Sequence, residues 1–130
     1  MAEAFEFDRR IEKATKDSER SYNETIKHIL ELKDRINKLE TIISDEGNAE
    51  NREELRELNF LEEKLNSSVD ALILGSEAEW EDYRKLEQEC KIRELNPARL
   101  EAFKAVCMKT EELAKDLLCY SLGRLRRKDQ

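Results

Sequence analysis

The chain has 130 residues, enough for one domain and short for two. Charged residues make up 42% and apolar ones 38%, and Ala, Glu, Lys, Arg and Leu together exceed half, the composition of long helices and coiled coils. Three glycines, one proline and the lack of any apolar run near roughly 18 residues exclude collagen, flexible linkers, most β-rich folds and a helical membrane span.

A first helix is expected over residues 8–45. Ile11, Thr15, Ser18, Tyr22, Thr25, Ile29, Leu32, Ile36, Leu39 and Ile43 follow one another at three- and four-residue steps, the heptad repeat. From Ile29 onward the seam is aliphatic. Before that it is Thr, Ser, Tyr and Thr, which bury little apolar area. Ile26, Leu30 and Ile42 widen the stripe beyond a strict two-position seam, as in a bundle helix with two neighbours. Gly47 and the turn residues Asp45–Asn48 end the element.

A second helix over 50–74 carries Leu55, Leu58, Leu61, Leu65, Val69 and Leu72, and Gly75 is expected to close it. Ser76 through Glu79 match a capping box that would open a third helix over 77–95, with Trp80, Tyr83, Leu86 and Cys90 on one face. Asn96-Pro97 marks the next boundary, Asn as N-cap and Pro in the first turn, with Leu95 and Leu100 placed as a hydrophobic staple. The fourth helix, 97–126, carries Leu100, Phe103, Val106, Cys107, Thr110, Leu113, Leu117 and Tyr120, and a basic tail follows over 127–130.

Short connections make successive helices antiparallel. The expectation is an all-α, antiparallel three- or four-helix bundle with a long coiled-coil-like first helix. At 1.5 Å per residue the first helix spans roughly 57 Å and the second roughly 37 Å. The second would then fold back only to the level of Tyr22, leaving the first turns to project or to lie beside the last helix. Phe5 and Phe7 would be exposed unless something covers them.

Net charge is −7, concentrated in the acidic middle of the chain, which disfavours nucleic acid as a partner. The exception is the run Arg124, Arg126, Arg127 and Lys128. It reads either as a solubilising end complementing a helix C-terminus or as a contact for an anionic membrane surface or a nucleic acid. Three cysteines, an odd number without a C-x-x-C pair, read as small hydrophobes in a reducing compartment. The first residues show no signal-peptide pattern, so a cytoplasmic protein is expected.

Residues suited to chemistry are scarce. His28 is the sole histidine, no Gly-rich phosphate loop occurs, and paired carboxylates fall on polar helix faces. No catalytic, cofactor or metal site is expected, and the chain reads as non-enzymatic.

Two features suit recognition. Trp80 and Tyr83 are either bundle core or an exposed aromatic anchor within an acidic rim of Glu77, Glu79, Glu81 and Asp82. The seam Ile29, Leu32, Ile36, Leu39 and Ile43 is either intramolecular core or a parallel homodimer interface, in which Arg35 would face Glu40 of a second chain. The layout resembles adaptor bundles such as syntaxin-type N-terminal domains and chaperone-binding BAG domains, in architecture alone. The expected function is a protein–protein interaction module (adaptor, scaffold or complex subunit) whose partners are helical. The alternative is a self-assembling coiled-coil homodimer.

Overall fold

A computed structural model describes residues 2–46 and 52–129, with side chains over 4–44 and 53–124. Three helices account for nearly all of it: α1 (Ala2–Glu46), α2 (Arg52–Ile92) and α3 (Leu100–Asp129). The described residues contain no strand. The expected all-α antiparallel bundle is the fold, in its three-helix form. Gly47 and the turn through Asn48 lie outside the described residues.

The second and third expected helices are one. α2 runs through Gly75 without interruption for 41 residues. A glycine inside a helix costs about 1 kcal/mol relative to alanine. The buried stripe Leu61, Leu65, Val69, Leu72, Ser76, Tyr83 and Cys90 crosses Gly75 without a change of phase, and its packing outweighs that cost. Ser76 is therefore a buried mid-helix residue, and the capping box it was expected to open does not form.

The break at Pro97 is real. α2 ends with Glu94 in the left-handed region (φ 55°), its N–H on the Lys91 carbonyl (3.3 Å) and the Leu95 N–H on the Cys90 carbonyl (2.9 Å). This is the Schellman closure, with glutamate where glycine is usual. Asn96 Oδ1 then accepts from the Ala98 N–H at 3.0 Å, opening the first turn ahead of α3. Leu95 and Leu100 both pack into the core, as the staple requires.

Because α2 is long, it covers α1 from end to end. Arg10 grips Glu89 through two bonds of 2.9 and 3.0 Å, and Arg35 reaches Glu57 at 3.3 Å, so α1 and α2 are antiparallel along their length. Tyr83 stacks on Phe103, and the Ser121 hydroxyl donates to Asn66, so α2 and α3 are antiparallel too. The first turns of α1 do not project: Phe7 and Ile11 are fully buried between α2 and α3. Phe7 also lies beneath the guanidinium groups of Arg10 and Arg93 (5.7 and 5.9 Å). Phe5 alone of the pair stays exposed.

The core is divided. An upper cluster holds Ile29, Leu32, Ile36, Leu61, Leu65, Val69, Leu72, Ala114 and Leu117. A lower cluster holds Phe7, Ile11, Tyr83, Cys90, Leu100, Phe103 and Cys107. Between them lies a polar waist, with Thr15, Ser76 and Thr110 buried and Ser18, Tyr22, Thr25 and Glu79 half-buried. Thr15 and Thr110 satisfy their hydroxyls on the carbonyls of Ile11 and Val106, one turn back. The weak Thr-Ser-Tyr-Thr stretch of the α1 seam is thus the α1 side of this waist.

Candidate interaction surfaces

The aliphatic seam of α1 is not a surface. Ile29, Leu32 and Ile36 are at most 3% exposed inside one chain, with Leu39 packed against them and Ile43 half-buried. Within the chain these side chains are packed against α2 and α3, the intramolecular-core arrangement. Arg35 pairs with Glu57 of α2.

Tyr83 belongs to the lower core, so it is no exposed anchor. Trp80 differs. Its ring meets Tyr83 edge-on at 5.7 Å, and its indole N–H donates to Glu111 of α3 at 3.1 Å. The rest of the indole remains half-exposed in the groove between α2 and α3. That groove encloses about 240 Å³ and is lined by Ile73 and Trp80 of α2 and by Ala114 and Leu118 of α3. Glu77, Glu111 and Lys115 line it too. Leu122, one turn beyond Leu118 on α3, is also exposed.

The basic end is not uniformly basic surface. Arg124 turns inward and is paired with Glu40 of α1 and, at 3.1 Å, with Glu62 of α2. Its side chain is 13% exposed, so it bridges all three helices and is unavailable to a membrane. Burial works against its charge, but the two carboxylates outweigh that, and its pKa lies above the ordinary value. The physical reason is helical phase: Leu117, Tyr120 and Arg124 share one face of α3. The side chains of Arg126, Arg127 and Lys128 lie outside the described residues. Their backbone is helical, since α3 continues to Asp129, so residues 127–129 are not a separate tail. Other basic groups face outward from the first turns of α1 (Arg9, Lys13, Lys16 and Arg20), interleaved with Glu12 and Asp17.

A second concavity opens on the other side of α2. At the waist, α1 and α2 part around a cleft of about 390 Å³. Ser21, Tyr22, Thr25 and His28 line it from α1, and Ser68, Ala71, Leu72, Gly75 and Glu79 from α2. Small side chains make the space: a Cβ added at Gly75 would meet nothing within 4 Å. Glu79 Oε2 is shut away from solvent and makes no hydrogen bond of standard geometry, although the hydroxyls of Ser18 and Thr110 act on the carboxyl group. Burial pushes this carboxyl above its ordinary value of 4.5, the hydroxyls of Thr110 and Ser18 draw it back only in part, and Asp82 adds to the rise.

The cysteines are quiet. Cys107 lies in the lower core, where burial, aided by the charge of Glu79, pushes its thiol up to about 12, far from a thiolate at neutral pH. Cys90 is buried and bonds the Leu95 carbonyl, while Cys119 is exposed. Among the described residues no group of three or more His, Cys, Asp or Glu side chains is placed to hold a metal ion, and no helix is long and apolar enough to cross a membrane.

Reading the sequence alone misses Ile73, Leu118 and the waist cleft. The signal for the groove was present, since Ile73, Trp80 and Glu77 fall together on α2 once the helix is taken as continuous. Comparison of the chain with known protein families, curated proteins and solved structures returns no match.

Proposed function

We propose that this chain is a protein-interaction module that takes an amphipathic helix of a partner protein into the groove between α2 and α3. One observation carries the reading. Trp80 is held in place by Glu111 yet leaves its ring half-exposed beside Ile73 and Leu118, in an apolar groove between two antiparallel helices. A fourth helix laid there would complete a four-helix arrangement and bury the indole. Helix-in-groove recognition works in this way, through anchors at i, i+3, i+4 and i+7. Tryptophan is the side chain most often found to dominate such contacts. The two carboxylates and one ammonium lining the groove favour a partner helix with basic flanks.

Photo-crosslinking tests the reading. A benzophenone amino acid at Leu118, in the groove, is compared with one at Met108, exposed on the outer side of α3. In extracts of the cells of origin the groove position is expected to give a discrete protein adduct and the outer position none. Equal labelling from both positions, or none from Leu118, counts against the proposal.

A further inference from the structure

α1 is anchored in two places that lie far apart. Phe7 and Ile11 fix its first turns in the lower core, and Ile29, Leu32 and Ile36 fix its second half in the upper core. Ile11 and Ile29 are separated by roughly 27 Å of helix. Over that length the inward seam is Thr15, Ser18, Tyr22 and Thr25. Beside it α2 presents Ser68, Ala71 and Gly75, and the two helices part around the waist cleft. The waist therefore adds little apolar burial to hold α1 down.

The polar contacts of the first turns add little as well. Arg10 with Glu89, and Arg99 with Asp8 and Glu12, are ion pairs at the surface, where solvent screens them. The lower ends of α2 and α3 are joined without help from α1. Tyr83 stacks on Phe103, Trp80 donates to Glu111, and the Leu95–Leu100 staple closes the turn between them. On that pair of helices Phe7 and Ile11 sit as i and i+4 anchors, the arrangement by which a separate helix is recognised in a groove.

We infer that residues 4–24 of α1 form a reversible latch, which lifts off the lower α2–α3 face as one unit while the upper bundle stays folded. Opening uncovers the side of Tyr83, Phe103 and Leu100 that Phe7 and Ile11 cover when the latch is shut. This is the covered side of the α2–α3 pair, the Trp80 groove being its open side. Segments with few buried apolar contacts open in this way, as contiguous units below the free energy of global unfolding.

The test is amide hydrogen exchange of the full-length chain in urea below the unfolding transition, with protection compared between segments. In the wild type, residues 7–18 are expected to be at least tenfold less protected than 29–39, and less urea-dependent. Residues 84–90 of α2 and 103–110 of α3 are expected to follow 29–39. Ile36→Val weakens only the upper core, so it is expected to speed exchange severalfold at 29–39 and to leave 7–18 unchanged. Phe7→Ala is expected to speed 7–18 by one common factor of at least ten, through residue 18. If Phe7→Ala were to lose the folded state, Phe7→Leu takes its place, with a smaller common factor. Acceleration of 7–18 by Ile36→Val to the same extent as 29–39 would show a single cooperative bundle and overturn the inference. So would residues 84–90 exchanging with 7–18, or a Phe7 variant that leaves residues 14–18 unchanged, which is fraying of the helix end alone.

Discussion

Glu79 and Trp80 are neighbours in the chain, yet they serve opposite grooves of α2. Successive residues on a helix point roughly 100° apart, so Trp80 faces the gap toward α3 and Glu79 the gap toward α1. The two gaps are incomplete in different ways. The α3 side is apolar and lacks a helix to cover its tryptophan. The α1 side is polar, lined by hydroxyls and the half-buried carboxyl of Glu79. A three-helix bundle this rich in charge closes its core along the seams, and at its edges the chemistry can differ on either side of one helix.

The comparison breaks first if the core beneath the two grooves fails. Phe103 is 1% exposed and stacks on Tyr83, next to Trp80. Phe103→Ala is expected to cost about 3–5 kcal/mol in a urea melt and to loosen both grooves together. Arg124→Ala removes the cation between Glu40 and Glu62, far from both grooves. With Glu40 partly exposed, it is expected to cost about 1.5–3 kcal/mol while leaving the Trp80 emission spectrum of the folded state unchanged.

Smaller changes sharpen the contrast. Gly75→Ala sits in open space within a continuous helix and is expected to raise stability by about 0.5–1 kcal/mol, visible in the melting temperature. Leu118→Asp, on the exposed side of the α2–α3 groove, is expected to stay within about 1 kcal/mol of wild type and to abolish adducts from a crosslinker at Leu122.

Glu79→Gln separates the sides by pH. The folded pKa of Glu79 is raised above 4.5, so its charge opposes folding at neutral pH and this opposition vanishes once the group is protonated in both states. The wild type therefore loses stability as pH rises from about 4.5 through the folded pKa. Glu79→Gln is expected to melt higher than wild type at pH 7, with the difference closing below about pH 4.5. A difference that persists in acid contradicts a Glu79 carboxyl whose pKa burial has raised.

Much of this architecture was legible in the sequence. The heptad spacing from Ile29 to Ile43 placed the upper core, and Asn96-Pro97 placed the break between α2 and α3. Gly75 misled because a glycine followed by Ser-x-x-Glu reads locally as a helix end and a new start. The competing signal was the phase from Leu72 through Ser76 and Tyr83 to Cys90, which does not slip. With α2 continuous, the first turns of α1 gain a partner, and Phe7 and Ile11 become core. Arg124 misled in the same way: it belongs by composition to a basic run and by helical phase to the face of Leu117 and Tyr120. Trp80 and Tyr83, three residues apart, share a stripe but not an environment, one at the edge of the core and the other inside it. The waist cleft had no sequence signature, since its space comes from small residues on two helices that only the fold brings together.

Hydrogen–deuterium exchange on the chain alone and on the chain co-purified with its crosslinked partner tests the central claim most directly. Added protection confined to residues 70–80 of α2 and 111–122 of α3, with 5–20 of α1 unchanged, is the expected result. Protection concentrated on the outward face of α1, with the Trp80 segment exchanging as in the free chain, would contradict the account.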